Sequence, residues 1–340
     1  MMPAAGDLVR AAPSEEFVCA LFELSLQRQP RPGEIQAWVD ASEKLSPTAL
    51  LKKMGATPEY LQRNKVKPFF PDGHYHSPVV DPSTVAEYVA SRSAPQEFPG
   101  IEIDLGRMDA LWGEMAESIR NAPFPDQKVP GLRFHYEGGP FPYGDALTLH
   151  GLMGRYRPQR IVEIGSGFST ACMLDSAEFH ELEVQITCIE PFPQRLRSLL
   201  RPLDSGMVKV IEKPVQEILV EDVVGALEEG DVLFVDSTHV LKTASDVHYE
   251  LTELIPAVKP GVMVHVHDCP YPFEYPQLWI ERNYSWNEVY ALQAFLMFNS
   301  AFKVLFWGSM FRRMRQQKVL KEGGQFAKNA GSSIWLVRES

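Results

Sequence analysis

An apolar strand leads directly into a glycine-containing turn and then into a helix in the stretch Arg160-Ile-Val-Glu-Ile-Gly-Ser-Gly-Phe-Ser-Thr170. Glycines at such a turn allow a tight bend and a close approach of the backbone to a ligand. The N-terminus of the helix that follows offers unpaired N–H groups to the same ligand. We therefore expect a ligand-binding site at Gly165, Ser166 and Gly167.

Short apolar strands alternate with helical segments from about residue 143 to the C-terminus. The predicted strands cover residues 160–164, 185–190, 208–212, 231–236, 262–267, 302–307 and 332–337. Strands that alternate with helices imply βαβ units and a parallel sheet covered on both faces. The predicted fold class is therefore α/β, with a doubly wound and mostly parallel sheet.

A small helical domain is predicted before this sheet. Apolar residues recur at helical spacing between residues 15 and 62, and Ser46-Pro47 is typical of an N-cap followed by proline at the first helical position. Residues 64–100 are rich in proline and aromatic residues, which disfavours regular structure there. We expect a helical module at 1–63, a connecting arm with a helix that packs on the sheet domain at 64–142, and the sheet domain itself at 143–340.

Composition and charge exclude several functions. The 44 acidic residues outnumber the 33 basic ones, and a net charge of −11 repels phosphate backbones, so we expect no nucleic-acid partner. No run of apolar residues is long enough to span a membrane, and the N-terminus lacks the pattern of a secretory signal, so we expect a cytoplasmic protein. The four cysteines are widely spaced and form no CxxC pair, which predicts free thiols.

The residues around the glycine turn discriminate between ligands. A dinucleotide fingerprint requires a third glycine where this chain has Thr170, so a pyrophosphate is poorly matched. Glu163 lies two residues before the first glycine, where a carboxylate accepts hydrogen bonds from a cationic amino-acid group, directly or through water, and repels a pyrophosphate. Glu190 follows the next strand, and an acid at that position binds both hydroxyls of a ribose.

At these residues the sequence resembles the class I S-adenosylmethionine-dependent methyltransferases. The motif ExGxGxS lies at 163–169, the ribose-binding acid at Glu190, the segment that borders the adenine in the family at 213–216, and the acid that ends the fourth strand at Asp236. The resemblance covers about residues 65–338 and implies S-adenosylmethionine as cofactor and a seven-stranded sheet whose last strand is antiparallel. The cofactor-binding residues that it implies are Glu163, Gly165, Ser166, Gly167, Ser169, Glu190, Pro191, Gln216, Asp236 and Ser237, together with Tyr143.

Two narrower resemblances concern the acceptor. The segments DSTHVLKTASDVHYE, VHVHDCPYPFEYP and WNEVYALQAFL are similar to a bacterial subfamily of small-molecule or glycan-associated methyltransferases with no assigned substrate. The stretch FVCALFELSLQRQPRPGEIQAW resembles a short bacterial helical module of unassigned function that often accompanies surface-polysaccharide proteins. These resemblances imply an accessory helical domain that offers a surface for a protein partner and, by analogy, a sugar or glycan precursor as methyl acceptor.

Acids at the ends of the fourth and fifth strands indicate a metal site. In the catechol-type and macrolide-sugar O-methyltransferases, acids at similar strand ends hold Mg²⁺, which orients and acidifies a substrate hydroxyl. This resemblance implies Asp236 and Asp268 as ligands. Those families place Asn or Asp directly after the second acid, whereas this chain has Cys269, a poor ligand for a hard cation. Bound Mg²⁺ is therefore an open alternative.

Histidines offer another route to activate the acceptor. His265 and His267 share one face of a strand, and His239 follows Asp236 by three residues. A neutral imidazole near the methyl group can take the proton from a hydroxyl or an amine. We expect His267 as the general base, then His239, with Asp268 beside them, and packing of the two strand histidines in the core is the alternative.

Aromatic segments are expected to form the wall of the acceptor site. Residues 69–76, residues 271–279 and Trp286 supply rings, and Asn287 and Glu288 supply groups that bind hydroxyls, although such segments also pack in cores. The leading function is methyl transfer to a hydroxyl, or an amine, of a small molecule or glycan precursor. The alternatives are a non-catalytic cofactor-binding scaffold and a nucleotide-cofactor oxidoreductase on the same kind of sheet.

Overall fold

The chain forms two compact units, residues 1–77 and residues 78–340. In this computed structural model the structure describes residues 15–63, 69–92, 94–137 and 139–340. The N-terminal stretch in which the sequence predicts no secretory signal lies outside these residues. The boundary between the units falls after Ser77, later in the chain than the end of the predicted helical module.

The first unit is built from short helices, as the sequence predicts. They are α1 (Glu15–Leu26), α2 (Pro32–Lys44), α3 (Pro47–Gly55) and α4 (Pro58–Arg63). Ser46 is the N-cap of α3, where its side chain accepts a hydrogen bond from the backbone N–H of Ala49. The core of the unit consists of apolar side chains from α1 and α3: Phe17, Val18, Leu21, Phe22, Leu26, Leu50 and Met54.

The second unit contains a seven-stranded sheet. Its strands are β1 (Arg160–Ile164), β2 (Gln185–Ile189), β3 (Val208–Ile211), β4 (Val232–Val235), β5 (Met263–Val266), β6 (Phe302–Trp307) and β7 (Ile334–Arg338). The order across the sheet is β3-β2-β1-β4-β5-β7-β6. β1 to β5 pair in parallel, whereas β7 runs antiparallel to both β5 and β6. This order and the antiparallel last strand confirm the predicted fold class.

Helices surround this sheet. They are α5 (Pro82–Ser91), α6 (Leu105–Arg120), α7 (Tyr143–Tyr156), α8 (Phe168–His180), α9 (Gln194–Leu199), α10 (Val220–Val224), α11 (Asp246–Tyr249), α12 (Ile255–Ala257), α13 (Gln277–Glu281), α14 (Glu288–Leu296), α15 (Gly308–Met314) and α16 (Gln316–Glu322). A π-helix (Glu250–Leu254) joins α11 to α12, and 3₁₀-helices span Pro202–Gly206, Val215–Glu217 and Gly324–Ala327. Within the described residues, no helix is long and apolar enough to cross a membrane.

The register of the central strands places polar residues side by side at one edge of the sheet. Ile164 pairs with Val235, and Val235 pairs with Val266. All residues of β4 and β5 are buried, as expected for parallel strands covered on both faces. The chain positions that directly follow these strands therefore meet at the carboxyl edge, where open α/β sheets bind their ligands.

The helix α5 corrects one expectation, because it lies in the segment in which proline and aromatic residues disfavour regular structure. Asp81 is its N-cap and accepts a hydrogen bond from the backbone N–H of Ser83, and Pro82 occupies the first helical position. Proline is favourable there because its missing N–H has no partner within a helix. The composition of the whole segment concealed a local start signal.

A buried ion-pair cluster connects the segment before α7 to the rest of the second unit. The Arg133 guanidinium pairs with Asp175 at 2.7 Å, with Asp204 at 2.5 Å and with Glu178 at 2.6 Å. Asp175 also accepts hydrogen bonds from the backbone N–H groups of Arg133 and Phe134. Every charge in this cluster has hydrogen-bonded partners, which is the condition for burying charge in a protein core.

Candidate functional site

A cavity of about 300 Å³ lies at the carboxyl ends of β1, β2 and β4. It is lined by Ile164, Gly165, Ile189, Glu190, Pro191, Phe192, Pro214, Val215, Gln216, Asp236, Ser237, Thr238 and Asp246. Six of the predicted cofactor residues are among them, namely Gly165, Glu190, Pro191, Gln216, Asp236 and Ser237. We call this space the cofactor cavity.

Gly165 is the residue that brings the glycine turn against the next strand. Its φ of 75° lies in the left-handed region, and a Cβ at this position would meet the backbone oxygen of Asp236 at 1.9 Å. Any larger residue would therefore push the turn away from β4. Gly165 and Asp236 both line the cofactor cavity beside this close approach.

Glu190 is held in place by the turn that it faces. One of its carboxylate oxygens accepts a hydrogen bond from the backbone N–H of Ser166 at 3.3 Å, and the other accepts one from that of Phe192 at 2.8 Å. Each oxygen keeps a further lone pair for another donor. The Ser166 hydroxyl is buried and makes no hydrogen bond within the described residues. The cavity therefore contains an oriented acid, which fits a ribose, whereas Ser166 does not line it.

Glu163 has different partners from those expected. Its carboxylate is fully buried beneath the turn and accepts hydrogen bonds from the hydroxyls of Ser169 and Thr170 and from the thiol of Cys188. Burial raises its pKa to about 7 despite these donors. Both Glu163 and Ser169 thus stabilise the start of α8, and neither lines the cofactor cavity.

Tyr143 also lies away from the lining of the cofactor cavity. Its hydroxyl donates a hydrogen bond to Asp126 at 2.6 Å, and its ring stacks on that of Tyr136. This hydrogen bond to a carboxylate raises the pKa of Tyr143. Gly167 does not line the cofactor cavity either, and its backbone N–H donates a hydrogen bond to the Thr170 hydroxyl.

Two histidines and two aspartates form a ring at the ends of β4 and β5. His239 Nε2 lies 3.5 Å from Asp236 Oδ1 and 3.6 Å from Asp268 Oδ2. His267 Nδ1 lies 3.5 Å from Asp236 Oδ1 and 3.4 Å from Asp268 Oδ1. We call these residues the His/Asp cluster. Asp236 belongs to both the cluster and the lining of the cofactor cavity.

The carboxylates of the His/Asp cluster raise the pKa values of its two histidines, for which a neutral imidazole was expected. Burial lowers the pKa of His267, but the nearby Asp236 and Asp268 carboxylates outweigh it and raise the pKa well above its usual value. For His239, burial is likewise outweighed by the nearby Asp236 carboxylate and the hydrogen bond to Glu288, which raise its pKa to about 10. The surrounding carboxylates therefore favour the protonated form of both rings over the neutral imidazole that a general base requires. The role of His267 as a general base stays a prediction.

The backbone is strained at two positions of the cluster. His239 has a φ of 60° and Asp268 has a φ of 51°, both in the left-handed region that residues other than glycine rarely adopt. Such strain costs about 1 kcal/mol or more per residue and is concentrated at functional sites. The fold thus maintains this side-chain arrangement at a cost in stability.

His265 and Cys269 lie outside the cluster. The ring of His265 stacks on Phe234 with 3.7 Å between ring centroids, and burial lowers its pKa well below the usual value. This is the packed alternative considered for the strand histidines. Cys269 is buried, and burial raises the pKa of its thiol. The position after Asp268 therefore supplies no third oxygen ligand.

A second cavity of about 250 Å³ lies beside the cluster and is lined mostly by aromatic and aliphatic side chains. Of the predicted acceptor wall, Tyr275, Trp279, Trp286 and Asn287 line it. We call it the aromatic pocket. The Trp286 ring contacts the His239 ring with 4.6 Å between centroids, so the pocket adjoins the cluster. Rings of this kind bury the carbons of a ligand. The Asn287 amide, in contrast, is hydrogen-bonded at both ends to the backbone of Leu241.

Other predicted wall residues have different positions. The Glu288 carboxylate accepts a hydrogen bond from His239 Nδ1 at 2.8 Å and is buried. The Tyr271 hydroxyl donates to the backbone of Pro95, and its ring packs against Trp307. Residues 69–76 belong to the first unit. The predicted wall residues therefore do not form one surface. Some line the aromatic pocket, Glu288 orients His239, Tyr271 packs in the fold, and residues 69–76 belong to the first unit.

Several lining residues were missed by sequence reasoning. Val85, Tyr88 and Val89 of α5 face the aromatic pocket, together with Tyr284 and Tyr290. The spacing of the three α5 residues, i, i+3 and i+4, is the signal of a helix with one apolar face. The helix start at Asp81-Pro82 would have had to be recognised first.

Comparison with known proteins supports the family resemblance. Residues 162–269 match the model of a family described as a methyltransferase domain. This segment extends from β1 through β5 and contains the whole His/Asp cluster. An uncharacterized protein of Archaeoglobus fulgidus is 28% identical over 162 residues, which cover 45% of this chain and 72% of that protein.

Solved structures with a similar chain path include two methyltransferases and a structure of cmcI. The SAH-bound methyltransferase PaMTH1 of Podospora anserina is 14% identical, with coverage of 81% of this chain and 100% of that chain and a TM-score of 0.38. The O-methyltransferase TomG of Streptomyces achromogenes in complex with SAM is 16% identical, with coverage of 76% and 96% and a TM-score of 0.38. A structure of cmcI with Mg and SAM is 15% identical, with coverage of 82% and 99% and a TM-score of 0.35. Similarities this low say nothing about the substrate of this chain.

Proposed function

We propose, from the methyltransferase domain at residues 162–269 and the cavity at its glycine turn, that the protein transfers the methyl group of S-adenosylmethionine to a hydroxyl of a small molecule. The observation that carries this proposal is the position of Asp236. Its side chain lines the cofactor cavity and also faces both histidines of the His/Asp cluster. A methyl donor in the cavity and an acceptor at the cluster would therefore be neighbours.

The residues of the cofactor cavity suit this cofactor. The two oxygens of Glu190, already oriented by backbone N–H groups, would accept hydrogen bonds from the two ribose hydroxyls. Pro214, Val215 and Gln216 would border the adenine at the end of β3. Ser166 would contribute through its backbone N–H, which orients Glu190, because its hydroxyl is buried and does not line the cavity. Glu163 would act only by shaping the turn.

The aromatic pocket supports a ring-containing acceptor, such as a sugar or another small cyclic molecule. Trp279, Trp286 and Tyr275 offer flat apolar surfaces, which stack on the faces of sugars and aromatic rings alike. Asn287 would hold the pocket against the segment of His239, because its amide is hydrogen-bonded to the backbone of Leu241 and its backbone N–H donates to the backbone carbonyl of His239. A sugar or glycan precursor is the acceptor we propose.

The chemistry requires mainly positioning and removal of one proton. S-adenosylmethionine supplies a methyl carbon on a sulfonium sulfur, and the thioether S-adenosylhomocysteine remains after the acceptor oxygen has taken that methyl group. Asp236 has the most exposed side chain of the His/Asp cluster, at 28%, so the acceptor hydroxyl would donate its hydrogen bond to this carboxylate. The proton would pass to the Asp236 carboxylate, which also faces both histidine rings.

Calorimetric titration of the purified protein with S-adenosylmethionine in EDTA tests the cofactor assignment. We expect binding that Glu190→Gln weakens at least about 10-fold, because the variant loses the negative charge that strengthens the hydrogen bonds from the ribose hydroxyls. Glu212→Gln is the matched control, since Glu212 follows β3 and lies outside the cofactor cavity. Binding of NAD in place of S-adenosylmethionine, or equal effects of the two variants, would refute the assignment.

Transfer of a radiolabelled methyl group tests the acceptor. The protein would be incubated with labelled S-adenosylmethionine and pools of nucleotide sugars, free sugars and phenols. Trp286→Ala should raise the KM for the active acceptor while leaving cofactor binding unchanged, because Trp286 lines only the aromatic pocket. Tight cofactor binding with no transfer to any pool would favour the scaffold alternative.

A further inference from the structure

We infer that the His/Asp cluster is a binding site for a divalent transition-metal ion, with His239, His267, Asp236 and Asp268 as its four ligands. This inference rests on the proposed function and deepens it, because it names the group that activates the acceptor. It differs from a Mg²⁺ site of two carboxylates, because half of the ligands are imidazole nitrogens.

The distances within the cluster are those of a coordination shell. The four contacts between imidazole nitrogens and carboxylate oxygens measure 3.4, 3.5, 3.5 and 3.6 Å. Ligands at about 2.1 Å from a common ion in a tetrahedron lie about 3.4 Å from one another. Ligand atoms of Asp236, His239 and His267 all fall within 4.8 Å of one another. A single ion can therefore reach Asp236 and the two imidazoles, and Asp268, whose two oxygens each contact one imidazole, closes the ring beside them.

The same contacts are too long to satisfy the side chains by themselves. An N–H···O hydrogen bond in a protein spans about 2.7–3.2 Å. Neither ring nitrogen of His267 makes a hydrogen bond within the part of the chain that the structure describes, although the residue is only 4% exposed. A buried polar atom without a partner is costly, and each such atom in a native fold requires an explanation. A metal ion at the centre of the ring supplies the missing partner of Nδ1, whereas Nε2 faces the Asp145 carboxylate at 3.6 Å.

The groups behind the ligands are also those of a metal site. Histidines that bind metals usually donate their second ring N–H to a carboxylate, which fixes the orientation of the ring. His239 does so to Glu288, at 2.8 Å from its Nδ1. Asp268 accepts a hydrogen bond from the Ser332 hydroxyl at 2.7 Å. These contacts hold the ligands in position from a helix and a loop that lie far apart in the sequence.

The donor types select the class of metal. Imidazole nitrogen suits Zn²⁺, Fe²⁺, Co²⁺ and related ions, whereas Mg²⁺ prefers oxygen ligands and water. Two imidazoles and two carboxylates therefore favour a transition-metal dication over Mg²⁺. Of the four ligands, Asp236 borders the cofactor cavity, and His239 contacts Trp286 of the aromatic pocket. A metal ion held there would lie between donor and acceptor, where it can orient and acidify the acceptor hydroxyl.

Metal binding by the full-length protein tests the inference without any methyl transfer. The protein would be stripped with EDTA, exchanged into metal-free buffer, and titrated with Co²⁺ by absorption spectroscopy and with Zn²⁺ and Mg²⁺ by calorimetry. We expect one equivalent of Co²⁺ with the visible bands of a low-coordinate site, one equivalent of Zn²⁺, and Mg²⁺ affinity at least about 100-fold weaker.

Variants then assign the ligands. His267→Asn and Asp236→Asn should each lower Co²⁺ affinity at least about 100-fold, and Glu288→Gln about 10-fold to 100-fold by releasing the His239 ring. His248→Asn is the matched control, because His248 is exposed on α11, outside the cluster. Circular dichroism would show that each variant is folded, and S-adenosylmethionine titration in EDTA would serve as a second control for His267→Asn and Glu288→Gln, which lie outside the lining of the cofactor cavity.

Several outcomes would overturn the inference. They are Mg²⁺ affinity equal to that for Zn²⁺, unchanged Co²⁺ bands in both ligand variants, or an equal loss in the His248→Asn control. These failures are distinguishable from failure of the proposed function, because cofactor binding is measured separately in EDTA. A protein that binds S-adenosylmethionine but no transition metal would keep its proposed function and lose only this site.

Discussion

Two clusters of charged side chains in the second unit differ in how their members are satisfied. In the cluster around Arg133, the ion pairs measure 2.5–2.7 Å, and the Arg133, Asp175 and Asp204 side chains are almost completely buried. In the His/Asp cluster, the corresponding contacts measure 3.4–3.6 Å, and a buried imidazole has no hydrogen-bond partner in the described residues. The first cluster is complete by itself, whereas the second lacks a central partner.

The difference separates a structural role from a binding role. A buried charge is tolerated only when it is paired and hydrogen-bonded. The Arg133 cluster meets this condition and connects three segments of chain, so its loss should act on folding. The His/Asp cluster does not meet it and also contains two strained residues, so the fold maintains an arrangement that serves a ligand.

Arg133→Met should have the largest effect on stability. The substitution leaves the carboxylates of Asp175 and Asp204 buried without their counter-ion, and breaking a buried pair in this way costs about 3–5 kcal/mol. The free energy of unfolding would be measured by denaturation in urea. A loss below about 1 kcal/mol would show that the cluster does not hold the fold together.

Glu163→Gln should change the dependence of stability on pH. The pKa of Glu163 is raised in the fold to about 7 by burial, so the folded protein keeps its proton where the unfolded chain has lost it. The stabilisation is present below the unfolded pKa and is lost as the pH rises through the folded pKa. Between pH 4.5 and 8, wild type should lose about 3 kcal/mol of unfolding free energy that the variant does not lose.

Urea denaturation of both proteins at several pH values gives this difference directly. Parallel curves for wild type and variant would mean that Glu163 titrates normally in the fold. They would also mean that its bonds to Ser169 and Thr170 offset burial completely.

The fold could be predicted closely from the sequence because its signals are local. The apolar runs of β1 and β6 coincide with the observed strands, and the other strands differ only at their ends. The antiparallel last strand followed from the family resemblance. The exception was α5, whose capping residues lie within a segment with many prolines. A local start signal was outweighed there by the average composition of its surroundings.

The site could be predicted only in part, because its contacts join residues far apart in the chain. The strand ends placed Asp236, His267 and Asp268 at one edge, as expected for a parallel sheet. Sequence spacing does not show that Glu288 orients His239, since 49 positions separate them. It also does not show that Ser169 and Thr170 engage Glu163 and turn it away from the cofactor cavity. Side-chain direction at a turn depends on backbone conformation, which motif spacing leaves open.

Asp268→Asn should separate function from stability in the His/Asp cluster. Asparagine tolerates the left-handed φ of this position and can still accept the hydrogen bond from Ser332. We expect a change in unfolding free energy of about 1 kcal/mol or less, together with a loss of methyl transfer of at least about 100-fold. Urea denaturation and the labelled-methyl assay measure the two effects on the same preparation. A stability loss as large as that of Arg133→Met would remove the distinction between the clusters.

The exposed ion pair between Arg197 and Glu212 should have the smallest effect and gives the baseline for the comparison. Its side chains are 56% and 48% exposed, so water screens the charges and holding two long side chains costs entropy. A double-mutant cycle with Arg197→Gln and Glu212→Gln should give a coupling energy of about 0–0.5 kcal/mol, which added salt reduces further. A coupling near that of the Arg133 cluster would mean that short distance alone, without burial, determines the strength of an ion pair in this fold. The contrast between the two buried clusters would then rest on geometry and not on desolvation.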